Sequence, residues 1–243
     1  MFRLLLIVCA ALAMPGRPLF ADEWTNEKSV QVLRLEKLVL PEFPGYVRAT
    51  GNGRGVVTVA IGRDPEGRVT DVLVLDSTHA LLSQAVIVAV KEWRFKLPAN
   101  PSPRGKEVHP IVRFVFGSKG VVVVSALTGS LAAKATEVKD NSPVILPSFA
   151  DLDSVPKPVN HPMPRFAGAT AERIVGGAAT VKYFVDETGK VRVPIVVDCT
   201  SPELGLAALA AVEQWTFEPP RIGGRPTIAL EMGEFTFDKS TKP

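Results

Sequence analysis

The sequence predicts an α+β protein built from two tandem ββαβ domains, each an antiparallel sheet covered on one face by a helix. The first observation is a repeat: AVKEWRFKLP at residues 89–98 returns as AVEQWTFEPP at residues 211–220. The same offset of 122 positions aligns residues 55–98 with residues 177–220 without a gap. Each copy also carries two β-branched runs, a helical apolar pattern and a third apolar run. Matches spread over turns, strands and helix indicate a duplicated unit.

The first two strands of each copy are predicted by short runs rich in β-branched residues. In the first copy these runs cover residues 56–61 and 69–75. The turn between them reads Asp-Pro-Glu-Gly at residues 64–67, which places Asp, Pro and Gly at preferred positions of a type I turn. The second copy reads Asp-Glu-Thr-Gly at residues 186–189. Each copy therefore begins with a β-hairpin.

A helix follows each hairpin. Apolar residues recur at helical spacing in both copies, namely Leu82, Ala85, Val86, Ala89 and Trp93, and Leu204, Ala207, Ala208, Ala211 and Trp215. In the second copy Ser201 supplies an N-cap, and Pro202 is the first helical residue. His79 occupies the cap position of the first copy, where a polar cap is expected.

The Trp-x-Phe motif that ends each helix is interpreted as structural core. Its members are Trp93, Phe95, Trp215 and Phe217. The motif lies where the chain leaves the helix for a third strand, predicted over residues 108–116 in the first copy and 227–237 in the second. A small domain buries little surface, so we expect these large side chains to clamp the helix and the last strand together.

The N-terminus has the pattern of a secretory signal. Arg3 precedes an apolar run at residues 4–14, and Ala21 is a suitable cleavage point. As a helix this run reaches roughly 16 Å, about half of a hydrocarbon layer of roughly 30 Å. We therefore expect a cleaved signal and export. Losing Arg3 and Arg17 from a chain of formal charge +3 leaves a nearly neutral protein, without the basic patch that nucleic-acid binding requires.

Domain boundaries follow from the repeat and from the composition of the connecting segment. That segment combines an apolar run, GVVVVSALTG, with a polar, Pro-rich stretch. We predict a signal at residues 1–21, an N-terminal segment at 22–37, a first domain at 38–118, a linker with a possible extra strand at 119–155, a second domain at 156–238 and a tail at 239–243.

The sequence contains no pattern that indicates catalysis or metal binding. His79, His109 and His161 have no ligand spacing and no accompanying acidic or cysteine cluster, so no metal site is expected. Cys199 is the single cysteine left after signal cleavage, and we expect it to be a small buried apolar residue. The sequence therefore predicts a protein that is not an enzyme and has no cofactor.

The order of these motifs resembles the C-terminal domain of TonB, the periplasmic energy transducer for outer-membrane receptors. The similarity covers residues 38–117 and 156–238, and its most specific parts are the strand-turn-strand block and the Ala-Val-x-x-Trp-x-Phe ending. The resemblance implies a periplasmic protein that binds a protein or peptide partner of the cell envelope, such as an outer-membrane receptor, in support of transmembrane transport. It implies no nucleic acid and no small-molecule substrate.

The resemblance also implies a partner site on the last strand, whose free edge takes up a short peptide by β-strand addition. In the first copy Pro110 is expected to interrupt this strand, and residues 120–126 to lie against the domain. The second copy is therefore expected to carry the site. The predicted partner-binding residues are Ile228, Ala229, Leu230, Glu231, Met232, Glu234 and Phe235.

Two alternatives remain open at this point. In the first, the protein is a TonB-family energy transducer that an uncleaved N-terminus anchors in the inner membrane. In the second, it is a structural pseudo-dimer whose domains pack on each other and whose sheet edges are all covered by the chain itself. The availability of the last strand distinguishes a binding protein from the pseudo-dimer.

Overall fold

The computed structural model describes residues 34–50, 54–96, 110–117, 120–125, 144, 146–165 and 176–237. These residues form a mixed α+β structure with mostly antiparallel strands and few helices. The predicted signal segment and His109 lie outside the described residues. Within the described ranges, no helix is long and apolar enough to cross a membrane.

The first half of the chain forms a four-stranded antiparallel sheet with one helix packed on it. Its elements are β1 (Arg34–Lys37), α1 (Gly45–Thr50), β2 (Gly55–Arg63), β3 (Val69–Ser77), α2 (Ala80–Lys91), β4 (Arg94–Lys96), β5 (Ile111–Gly117) and β6 (Gly120–Ser125). The strand order β3-β2-β5-β6 defines the first sheet, and β1 pairs separately with β4. Helix α2 packs on β2 and β3 and buries Leu82, Val86 and Val90 in the core of this half.

The second half forms a three-stranded antiparallel sheet, also with one helix. Its elements are a 3-10 turn (Phe149–Asp151), β7 (Pro158–Asn160), β8 (Gly177–Val185), β9 (Val191–Cys199), α3 (Pro202–Val212), β10 (Thr216–Phe217), β11 (Arg221–Ile222), β12 (Arg225–Pro226) and β13 (Ala229–Phe237). The strand order β13-β8-β9 defines the second sheet. Cys199 is buried in this half, as expected, and burial raises the pKa of its thiol.

Local signals of the sequence act in the same way in both halves. The Asp64 carboxylate accepts the backbone N–H groups of Glu66 and Arg68 and so closes the first hairpin turn. Asp186 does the same at the second turn. The predicted caps are also confirmed: His79 Nδ1 accepts the N–H of Leu81, and Ser201 Oγ accepts the N–H of Leu204.

The four aromatic residues of the Trp-x-Phe motifs are buried. Each motif also pairs with a short strand that precedes the hairpin, β1 in the first half and β7 in the second. The sequence analysis did not predict these two strands. Trp93 Nε1 donates to the carbonyl oxygen of Val39 at 2.7 Å, beside the β1–β4 pair. Trp215 Nε1 donates to the carbonyl oxygen of Pro162 at 2.9 Å, beside the β7–β10 pair. The motif therefore binds the segment that precedes each hairpin, in addition to the end of the helix.

A glycine in each hairpin turn locks the turn to the Trp-x-Phe motif. The N–H of Phe95 donates to the carbonyl oxygen of Gly67 at 2.8 Å, and Phe217 bonds Gly189 in the same way at 2.7 Å. Both glycines have positive φ angles, 79° and 86°. A Cβ atom there would overlap the carbonyl oxygen of Phe95 or Phe217, so the close approach requires glycine.

The two sheets pack face to face, which the sequence analysis left undecided. An inter-sheet cluster contains Ala60 and Leu73 from the first sheet, Phe184 and Val193 from the second, and Leu146 from the connecting segment. All five are buried. Each sheet therefore has a helix on one face and the other sheet on the opposite face. The sequence analysis predicted the helix on one face of each sheet and left open what lies on the other face.

Arg192 on β9 joins the two sheets by an ion pair at the margin of this cluster. Its guanidinium donates to both carboxylate oxygens of Asp71 on β3, at 2.8 Å and 2.5 Å, and reaches Asp186 at 3.3 Å. The hydrogen bond to Asp71 is the main reason that the pKa of Arg192 is raised. Burial alone would raise the pKa of Asp186, but hydrogen bonds from Thr188, Lys190 and Arg192 outweigh it and hold that pKa below its usual value.

The expected interruption of the last strand by Pro110 is not found. Pro110 precedes β5 and does not interrupt it, because the strand begins at Ile111. β5 is also an inner strand, since β6 pairs with it from Val112–Ser125 to Gly117–Gly120. The edge of the last strand in the first half is therefore covered by β6, as expected for residues 120–125, and the proline has no part in protecting it.

We expect Trp93→Ala and Trp215→Ala each to lower the free energy of unfolding by about 3–5 kcal/mol, the range for truncating a large buried aromatic side chain. Urea denaturation followed by circular dichroism measures this loss. Val88→Ala is the matched control, because Val88 lies on α2 with 64% of its surface exposed and should cost less than about 0.5 kcal/mol. A loss below about 1 kcal/mol for either tryptophan would contradict a core role.

Candidate functional site

Two outer strands of the sheets, β3 and β9, have features that hinder pairing with a further strand. The carbonyl oxygen of Val72 on β3 accepts from Arg192 at 3.4 Å, so the second half of the chain occupies that edge at Val72. β9 contains Pro194, which has no N–H to donate, next to a bulge at Val193 with a φ of 47°. Residues 126–143, which follow β6, lie outside the described residues.

β13 is the remaining outer strand and has a regular backbone. It pairs with β8 from Ala229–Val185 to Phe237–Gly177 without a register shift. The N–H of Leu230 points away from β8, because it donates to the carbonyl oxygen of Pro147 at 2.9 Å. In an antiparallel strand successive residues alternate between the two sides. Leu230, Met232, Glu234 and Thr236 therefore present their backbone groups at the outer edge.

The first half of this edge is covered by the connecting segment at residues 146–149. Leu146 is buried in the inter-sheet cluster, and Pro147 accepts the N–H of Leu230. The ring of Phe149 packs edge-on against Phe217 with a centroid distance of 5.3 Å. This segment, which the sequence analysis assigned to a linker, is therefore packed against the second half.

The Glu231 carboxylate extends this cover by one more position. Its Oε2 atom accepts the N–H of Phe149 at 3.1 Å, and its Oε1 atom accepts the N–H of Met232 at 3.0 Å. Burial and then the nearby charge of Glu231 raise the pKa of Tyr183, which pairs with Glu231 across the β13–β8 ladder. Two of the four outward N–H groups are thus already bonded within the chain.

The second half of the edge is open. Glu234 and Thr236 are exposed, and among the described residues no group accepts their backbone N–H groups. Met232 is also exposed, with 54% of its surface accessible. We call residues 232–236 the open edge. Its unbonded backbone groups are hydrogen-bond donors and acceptors with the spacing of a β-strand. It can extend the second sheet by one further strand.

The structure divides the predicted partner-binding residues into two groups. Ile228 and Leu230 pack against the inter-sheet cluster, Ala229 is buried, and Glu231 bonds the connecting segment. The remaining residues, Met232, Glu234 and Phe235, lie on the open edge, although Phe235 is buried beneath it against Trp215.

Two residues of the open edge were missed by sequence reasoning. Thr236 follows Glu234 by two positions, so the period-2 alternation of a strand places it on the same side. The second is Gly233, which lies inside a strand. Glycine within a strand often marks a place where another backbone approaches closely.

His161 contributes to the packing beneath the open edge. Its ring stacks on Trp215 with a centroid distance of 3.6 Å, and burial lowers the pKa of the imidazole. In the part of the chain that the structure describes, no three His, Cys, Asp or Glu side chains form a group that could hold a metal ion.

Comparison with known proteins assigns no family to the chain. A scan against protein-family models finds no match, and a search of curated proteins finds no significant match.

We expect amide hydrogen exchange to divide β13 into a protected half and an open half. The N–H groups of Leu230 and Met232 are bonded, so they should exchange about tenfold more slowly than those of Glu234 and Thr236, the factor for roughly 1.4 kcal/mol. Exchange monitored by NMR measures the four rates. In Glu231→Ala the Met232 amide should become fast while Leu230 stays slow. Four equal rates would contradict the division.

Proposed function

We propose that this protein is an exported, non-enzymatic protein-binding protein that takes up an extended segment of an envelope partner by strand addition at β13. The observation that carries the proposal is the open half of the β13 edge, where Glu234 and Thr236 direct unpaired backbone groups outward. An incoming strand would satisfy these groups and extend the second sheet. The cost of binding is small because the edge is held in place by β8 and by the core beneath it.

We further propose that the chain comprises two tandem ββαβ domains of the TonB C-terminal type. The spacing of 122 residues supports this assignment, because β2 and β3 recur as β8 and β9 at that spacing. The helices, turns and Trp-x-Phe locks recur with them. Membership of this type makes an outer-membrane receptor a candidate partner and a supporting role in transport a candidate activity.

A structural pseudo-dimer is the second candidate function, and the inter-sheet cluster favours it. The sheets cover each other, β6 covers β5, and residues 146–149 cover half of β13. On this hypothesis the last open positions at Glu234 and Thr236 have no partner in the cell. The two hypotheses therefore differ in a single measurable property, the use of the open edge.

We expect Glu234→Pro to weaken capture of envelope partners by the immobilised mature protein about tenfold, because it deletes one outward N–H of the open edge. The preceding Gly233 has no Cβ to clash with the proline ring, so the fold should be retained. Glu234→Ala is the matched reference, since it removes the side chain and keeps the N–H, so any additional loss in Glu234→Pro reports the N–H alone. Unchanged capture by Glu234→Pro, with an unchanged circular dichroism spectrum, would favour the pseudo-dimer.

We also propose export by cleavage after Ala21, on the pattern of Arg3 and the apolar run at residues 4–14. N-terminal sequencing of the protein from its native envelope should therefore begin near Asp22. An intact Met1 in a carbonate-resistant membrane fraction would instead support the transducer anchored in the inner membrane.

A further inference from the structure

The open edge of β13 contains one residue without a side chain, Gly233. Gly233 lies on the face of the second sheet that packs against α3, between Met232 and Glu234. A Cβ atom at this position would lie 3.4 Å from Cζ3 of Trp215 and 3.5 Å from Cε2 of Phe235. These are ordinary contact distances, so the backbone of Gly233 is not crowded. The glycine leaves a small space whose floor is formed by two aromatic rings.

The first half of the chain has a valine at the corresponding position. Gly233 pairs with Val181 on β8. The residue 122 positions before Val181 is Val59, and Val59 pairs with Val112. The aromatic pairs beside the two positions also correspond, with centroid distances of 5.5 Å for Trp215–Phe235 and 5.7 Å for Trp93–Phe114. Val112 is buried, whereas Gly233 is partly accessible. The side chain is therefore missing only on the strand whose outer edge is open.

A strand added at this edge would fill the small space at Gly233. Because Gly233 directs its N–H toward β8, an antiparallel partner residue opposite it would form a non-hydrogen-bonded pair, in which side chains approach most closely. That partner side chain would lie on the same face as Gly233, against the edges of Trp215 and Phe235. Carbon atoms of aromatic rings line this space, so an apolar side chain fits it best.

The opposite face of the same edge carries a different chemistry. Glu234 is exposed, and Met232 beside it is exposed as well. The partner residue opposite Glu234 would place its side chain next to the carboxylate, where a basic group is favoured and an acidic group is disfavoured. The Glu231 side chain points to the other face of the strand, the face of Gly233, and both of its oxygens already accept N–H groups of the chain.

We propose that the partner segment is short and extended, with an apolar residue opposite Gly233 and a basic residue next to it opposite Glu234. It does not pair along the whole of β13, since Pro147 and Glu231 already accept the N–H groups of Leu230 and Met232. This inference rests on the proposed function and specifies the chemistry of the partner.

A library of random heptapeptides displayed on phage, selected on the mature protein, tests this proposal. Selected peptides should share an apolar residue adjacent to Lys or Arg, and a synthetic peptide of that sequence should protect the amides of Glu234 and Thr236 in NMR exchange. Gly233→Val should weaken binding of this peptide at least tenfold in calorimetry. The variant keeps the outward N–H groups and introduces the residue found at position 112, so its melting temperature should not fall.

Glu234→Lys is the matched variant for the second face. It should weaken the same peptide and strengthen a version in which the basic residue is replaced by Glu. Equal binding to wild type and Gly233→Val, with Glu234 and Thr236 still protected, would overturn this inference and leave strand addition standing. Selection of no peptide, or of peptides that protect other residues, would overturn both the inference and the proposed site.

Discussion

The packing of the two sheets against each other is the interaction on which the rest of the structure depends. It buries Ala60, Leu73, Phe184 and Val193, which would otherwise form apolar sheet faces exposed to water. It also decides which strands remain outermost, and it brings Arg192 to Asp71 across the interface. A half of this size has only a small core of its own. The packing between the sheets covers the face of each sheet that carries no helix, as a second layer of helices does in larger domains.

In the part of the chain that the structure describes, three outer strands of the two sheets differ in how their edges are protected. β3 bonds Arg192 at Val72, β9 contains a proline, and β13 is covered over half of its length by residues 146–149 and Glu231. Exposed edges invite pairing with other chains, and proteins generally protect them. The protection of β13 stops at Met232 and does not continue to the end of the strand. The unprotected part of β13 is the candidate site.

Much of the local structure could be predicted from the sequence because its causes are local. The β-branched runs, the Asp and Gly of the turns and the capping residues each act within a few residues, and the strands and helices begin close to the predicted positions. The packing of the sheets has no such local cause. One signal was present: residues 57–61 are apolar or uncharged on both sides of the strand, a pattern of strands buried on two faces. The cover provided by Leu146 and Phe149 depends on contacts between residues distant in sequence, and no periodicity reveals it.

The proposed duplication within one chain would have a consequence for symmetry. In a dimer of identical chains both last strands would carry the same residue at a given position, and both would be sealed or both open. Here the two positions hold Val112 and Gly233, and among the described residues only Val112 has a further strand, β6, paired beside it at the outer edge. A fused pair can therefore keep a mutual interface while its two edges diverge. If the open edge binds a partner strand, the stoichiometry is one partner per chain, without the paired occupancy that a symmetric dimer would impose.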